Sequence, residues 1–170
     1  MKAALVVLAA ALAGCQSIPA DAPGAGASLQ PTQGSNASGK VTFHQVGDKV
    51  RVVAQVSGLT PGREHGFHIH EAGDCSSGDG MSAKGHFNPL GKPHGPPGTA
   101  ERHAGDMPSL KADMNGNAAL EADLDTISVT PGPTSIIGRG LIVHANPDDY
   151  RTQPTGNAGA RLACAVIQRS

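Results

Sequence analysis

The sequence predicts an all-β domain, a sandwich or barrel of about eight short strands. Three observations carry that expectation. Runs rich in β-branched residues recur along the chain, split by turn residues. No stretch sustains the 3.6-residue apolar period of a helix. Gly and Pro supply 23 and 13 of the 170 residues, about a fifth together, which is rich in turns yet below the roughly 25–30% of a low-complexity chain. With three Phe, one Tyr and no Trp, the core has to be assembled mainly from Val, Ile, Leu and Ala. A single domain of this length buries roughly 68–70% of the surface its unfolded chain exposes.

The first residues stand apart from the fold. "MKAALVVLAAALAGC" is one lysine followed by small apolar residues, too short to span a bilayer comfortably, and reads as a secretory signal. Its end, "LAGC", resembles a bacterial lipobox. On that reading residues 1–14 are a lipoprotein-type signal peptide, Cys15 is lipidated, 15–26 form a flexible linker, and 27–170 form the domain. An ordinary cleaved signal with an incidental cysteine is the alternative. Both place the domain outside the cytoplasm; the first anchors it at a membrane of the bacterial periplasm through Cys15.

Within the domain, "KVTFHQV" and "KVRVVAQV", separated by Gly47 and Asp48, predict a hairpin. After the break "LTPG" comes "EHGFHIH". Its alternation puts Phe67 and Ile69 on one face of a strand and His68 and His70 on the other. "SLKAD" and "AALEADL", around the turn "NGN", predict a second hairpin, and "GLIVH" and "RLACAVI" two final strands.

Residues 71–109 break the pattern. They form a 39-residue connection with thirteen Gly and Pro and few large apolar residues. Such a segment stays disordered unless something cross-links it. Cys75, His86, His94, His103 and Asp106 are its candidate staples. A second long segment spans 145–157. Setting Cys15 aside, Cys75 and Cys164 are an even pair in an oxidising compartment, so a disulfide is expected. It would close 89 residues, worth roughly 4–5 kcal/mol in the chain-entropy model. Free thiols or thiolate ligands are the alternatives.

The net charge of −1 argues against nucleic-acid binding by phosphate neutralisation. The eight histidines are the oddity. His68, His70, His86, His94, His103, His144 and Asp106 are seven candidate ligands, more than one tetrahedral site needs. Imidazole suits copper and zinc, and carboxylate suits zinc. Two adjacent ions can share one imidazole, whose doubly deprotonated form two dications would stabilise.

"GFHIHEAGDC", "GHFNP", "KPHGPP", "ERHAGD", "GRGLIVHANPDD" and "GNAGARLACAVI" resemble, in order and spacing, the copper–zinc superoxide dismutases, above all their bacterial secreted branch. The resemblance covers residues 27–167. It implies an eight-stranded antiparallel Greek-key β-barrel, an immunoglobulin-like sandwich, with two long functional loops. It also implies one copper and one zinc ion per subunit. Copper would be held by His68, His70, His86 and His144, and zinc by His86, His94, His103 and Asp106, with His86 bridging. Cys75 and Cys164 match the family's disulfide. Arg161 matches the arginine beside the copper channel, and Asp148 the carboxylate linking a copper ligand to a zinc ligand, with Asp149 as its alternative. His65 resembles a structural histidine, and His44 reads as solvent-facing.

The activity implied is dismutation of superoxide to dioxygen and hydrogen peroxide, with Arg161 and His86 as the catalytic residues. The family's superoxide-guiding lysines have no one-to-one match, which leaves Lys84 and Lys92 in the first long loop. Partners implied are the small-molecule substrate, no nucleic acid, a membrane only through the lipid anchor, and a homodimer or a monomer. Two rival readings are a periplasmic copper/zinc-binding protein without turnover and a β-sandwich adhesion module. The first has no use for Arg161, and the second has none for seven intact ligands.

Overall fold

A computed structural model of the chain describes residues 22–170. The expected signal peptide, Cys15 and the start of the linker lie outside the described residues. In chain order the strands are β1 (Gly24–Pro31), β2 (Ser38–Val46), β3 (Lys49–Ser57), β4 (Glu64–His65) and β5 (Phe67–His70). They continue with β6 (Leu110–Lys111), β7 (Ala118–Leu124), β8 (Gly140–His144), β9 (Arg161–Val166) and β10 (Gln168–Arg169). A 3-10 turn, Met81–Ala83, is the one helical element among the described residues. Among these residues no helix is long and apolar enough to cross a membrane.

The main sheet runs β5-β8-β9-β1-β2-β3-β7, and β10 adds to β1. Every pairing between strands is antiparallel. β4 leads directly into β5 and pairs with β6, which lies against β7. The small β4–β6 sheet therefore bridges the two ends of the large one and completes the Greek-key barrel. Alternation fills it: Val50, Val52, Ala54 and Val56 of β3 point inward, as do Val41 and Phe43 of β2. All three phenylalanines, Phe43, Phe67 and Phe87, are buried in this core.

The first predicted hairpin is β2–β3, in register from Ser38↔Ser57 to Val46↔Lys49, with Gly47 at φ 61 in the turn. Two expectations need correction. The domain begins before residue 27, because Gly24–Gly26 of the expected linker already pair with β2 and β10. A ladder is made of main-chain groups, so a Gly- and Ala-rich stretch that looks like a linker can join one; Ala25 is buried there. The second predicted hairpin has its turn, with Asp113 Oδ1 accepting from the amides of Asn115 and Asn117. Its arms then part: β6 pairs with β4 and β7 with β3. The amide of Leu59 donates to Gly116 O and that of Ala112 to Arg63 O, which docks the turn across the barrel seam.

The long connection 71–109 is ordered by more than its polar staples. Its backbone runs beside β5: the Ile69 amide donates to Gly105 O, Phe87 to Ile69 O, Gly105 to Phe87 O and Glu71 to Gly85 O. Phe87, Ala104 and Met107 drop into the barrel core. Cys75 and Cys164 form a disulfide, and with Ala83 and Ile142 they make a second apolar cluster outside the barrel. The Arg139 guanidinium lies 4.3 Å from the centre of the Phe87 ring and bonds Glu71.

Candidate metal centre

Strand alternation on β5 sends Phe67 and Ile69 into the core and His68 and His70 out of it, beneath the long loops, where both imidazoles are fully buried. His144 comes from the end of β8, beside β5. Between Val143 and His144 the β8–β9 register slips, so that Val143 faces Ala163 but His144 faces Arg161. A bulge of this kind re-aims side chains. Here it brings Arg161 to the same end of the barrel as His144. The first long loop supplies His86, His94, His103 and Asp106.

These seven residues form two groups, His68, His70, His86, His144 and His86, His94, His103, Asp106. All are buried, and in each group the ligand atoms lie within 4.8 Å of one another. In the second group His86 Nδ1 is 2.9 Å from Asp106 Oδ1 and 3.4 Å from His103 Nδ1. His103 Nδ1 is 3.3 Å from Asp106 Oδ1, and His94 Nδ1 is 3.0 Å from Asp106 Oδ2. Ligands about 2.0–2.1 Å from a tetrahedral zinc ion stand about 3.3–3.4 Å apart, so the donor set fits zinc. In the first group His70 Nε2 and His144 Nε2 are 3.3 Å apart. An all-imidazole set suits copper.

The remaining ring nitrogens show which atoms are reserved for ions. His68 Nε2 donates to Asp148 Oδ2 at 2.6 Å, His70 Nδ1 to Lys84 O at 2.8 Å and His144 Nδ1 to Gly159 O at 3.2 Å. In the first group that leaves His68 Nδ1 and His86 Nε2 buried with no hydrogen-bond partner. A buried polar atom left unpaired is costly, and a metal ion would satisfy both. His86 alone faces both groups, Nδ1 toward Asp106 and orphaned Nε2 toward the other imidazoles.

Asp148, not Asp149, joins the two groups. Its second oxygen accepts from His94 Nε2 at 2.9 Å, so one carboxylate orients a ligand on each side. Asp149 is exposed and caps its own loop through the amides of Arg151 and Thr152. Burial depresses His70 and His144 well below their ordinary pKa and His86 to about 4. Burial also opposes charge on His94, but Asp106 and Asp148 outweigh it and raise that group to about 9. Burial works against ionisation of Asp106 too, yet hydrogen bonds from His103, His86 and His94 hold it far below the usual carboxylate range.

His65 belongs to neither donor group; its Nδ1 donates to His144 O at 2.8 Å, bracing that strand. His44 is half-buried on β2, away from both groups. Arg161 donates through Nη1 to Gly80 O at 2.7 Å and through Nη2 to Lys84 O at 2.5 Å. It lines a cavity of about 170 Å³ with His70, Met81, His144, Thr155, Ala158 and Gly159. Lys84 holds φ 63 and ψ −150, a conformation suited to glycine, at a cost on the order of 1–3 kcal/mol. Its carbonyl thereby serves His70 and Arg161 together. Lys92 is paired with Glu101 at 2.7 Å.

Sequence reasoning missed four participants. Thr155 and Met81 share the cavity. The Tyr150 ring stacks on His94 with centroids 6.4 Å apart, and its hydroxyl accepts from the Ser109 amide at 2.9 Å, tying the two loops together. Gly156, at φ +63, leaves the space beside Asp148, because a Cβ there would lie 1.8 Å from Asp148 Oδ1. The glycine of "TGNAGAR" was the available signal for this close approach.

The chain is similar to proteins of known kind. A family model described as copper/zinc superoxide dismutase (SODC) matches residues 37–167. The protein named superoxide dismutase [Cu-Zn] of Paramecium bursaria Chlorella virus 1 is 44% identical over 135 residues, 76% of this chain and 71% of the relative. Superoxide dismutase [Cu-Zn] 2 of Aquifex aeolicus (strain VF5) is 40% identical over 134 residues, 76% of this chain and 78% of the relative. Among solved structures, the clock protein EA4 superposes with a TM-score of 0.78 at 42% identity, covering 86% of this chain and 94% of that one.

Proposed function

The chain belongs to the copper/zinc superoxide dismutase family, and from that premise we propose how its residues divide the work. The protein is an oxidoreductase that converts superoxide to dioxygen and hydrogen peroxide, with one copper and one zinc ion per subunit. His68, His70, His86 and His144 would hold the copper, and His86, His94, His103 and Asp106 the zinc. Bound copper supplies the one-electron redox chemistry, which redox-inert zinc cannot.

The chain's own groups do the rest. Arg161, fixed by two carbonyls at the wall of the cavity above His70 and His144, docks the superoxide anion. Thr155 and Gly159 help line the cavity, whose volume of about 170 Å³ suits a small diatomic substrate and a few waters. His86 Nε2, unpaired within the protein, carries a proton to the reduced dioxygen species, while Nδ1 stays with the Asp106 group. Asp148 keeps His68 and His94 in the tautomers that turn their Nδ1 atoms to the ions. The observation that carries this division is the single buried imidazole with one nitrogen in each donor set. A protein that only stored metal would have no use for a guanidinium held beside an open cavity.

The test is metal analysis joined to a superoxide assay on the full chain and on His144→Ala. The expected result is one copper and one zinc in the parent, and in the variant loss of copper and of turnover with zinc retained. Turnover surviving in His144→Ala removes that residue from the copper set.

We also infer an extracytoplasmic site with a lipid anchor at Cys15. The "LAGC" motif and the Cys75–Cys164 disulfide support it. Cys15→Ala should shift the protein from the membrane fraction to the soluble periplasm, and an unchanged distribution removes the anchor. Both ligand groups come from one chain, so a monomer is competent, and homodimerisation, if sedimentation shows it, is not needed to build the site.

A further inference from the structure

A cation entering the cavity above His70 and His144 meets the positive charge of the Arg161 guanidinium, which lines the same cavity. Something has to favour its entry. We propose that Met81 is a transient entry ligand for copper(I), capturing the ion at the cavity mouth and passing it to His70 and His144. The inference rests on the assignment of those histidines to copper.

Four observations point to Met81. It borders the cavity yet is 59% exposed, so the side chain sits at the boundary between solvent and the two imidazoles. The cavity is small, about 170 Å³, so an ion captured where Met81 borders it shares that small space with His70 and His144. Met81 is also held in place. Its amide donates to Asp79 Oδ1 at 2.9 Å, the Lys84 amide donates back to Met81 O, and Ala83 of the same turn is buried against Ile142 and Cys164. Finally, the ligand chemistry is selective between oxidation states: a thioether is a soft donor that suits copper(I), while copper(II) is better served by imidazole. An isolated exposed methionine needs no explanation, and Met114, 80% exposed beside Gly62, is one. Met81 differs by where it stands.

The transfer is a ligand exchange with no net redox change. The Cu–S bond forms as the carrier's bond to copper breaks, and it breaks in turn as bonds to the two imidazole nitrogens form. Asp79, whose carboxylate acts on Arg161, supplies negative charge at the same turn.

The experiment uses the full chain loaded with zinc and free of copper. Copper is offered as the bicinchoninate complex of copper(I), whose absorbance reports transfer directly, and separately as copper(II) glycinate. Met81→Leu keeps the size and apolar character and removes the sulfur. Its copper(I) uptake should be slower by about threefold or more, with copper(II) uptake and final copper content unchanged. Met114→Leu should behave as the parent in every arm. Equal copper(I) rates for parent and Met81→Leu would overturn the proposal. So would an equal slowing of both oxidation states, which marks a steric effect. A parent that takes up no copper in either form refutes the assignment of His70 and His144 and removes the ground of the proposal with it.

Discussion

Asp148 shows how much a single side chain can be asked to do. It accepts from His68 at 2.6 Å, from His94 at 2.9 Å and from the Tyr150 amide at 2.7 Å, and it has room only because residue 156 lacks a Cβ. Gly156→Ala should push the carboxylate off His94 and weaken zinc binding by about 10–100-fold, measured by competition with a chromophoric chelator. An unchanged affinity would show that the carboxylate does not orient the ligand. The histidines also predict a pH profile for the metal-free protein. His86 falls from 6.5 to about 4 on folding, so its unfolded form binds the proton more tightly, and stability is lost as pH drops through that window. His94 rises from 6.5 to about 9, so its contribution is full below 6.5 and lost as pH climbs to 9. Calorimetry of the metal-free protein should find the highest Tm near pH 6.5, and a monotonic profile would contradict the opposed shifts.

At the scale of elements, the first long loop is the lesson. Its composition suggested a segment held only by cross-links, but Phe87 and Met107 reach the barrel core and its backbone follows the edge of β5. Neither is visible in the sequence, because two apolar residues in a Gly- and Pro-rich run have no period to reveal which face they seek. The disulfide was legible, since an even cysteine pair behind an expected secretory signal leaves few options. The bulge at His144 was not, for it depends on how β9 meets β8. The Cys75→Ala/Cys164→Ala double variant should lose about 4–5 kcal/mol, read from the urea midpoint. Because the loop keeps its edge bonds, protection of the Phe87 and Gly105 amides from hydrogen exchange should persist. Loss of that protection would show that the disulfide alone orders the loop.

For the molecule as a whole, the barrel builds the site's floor and the two loops its walls, and the ions would tie them together. Ligands that bind only the folded state stabilise it, by about 4 kcal/mol at a thousandfold excess over Kd. For a chain of this length that is a Tm increase of about 8–16 °C. Removing both metals should lower the transition by that much, and restoring zinc alone should recover most of it, because the zinc group draws His86, His94, His103 and Asp106 all from the long loop. Recovery with copper alone would reverse that assignment.

Local order in the chain was enough to set the all-β class, the β2–β3 hairpin, the shared face of His68 and His70 and the seven candidate donors, because alternation, turn residues and donor chemistry are properties of neighbouring residues. Tertiary structure decided the rest: that β6 leaves β7 for β4, that Asp148 and not Asp149 spans the two groups, and that Met81, Thr155 and Arg161 share one cavity. Those outcomes turn on which distant backbones hydrogen-bond and which gaps a missing Cβ leaves open, and no stretch of the chain carries that information alone.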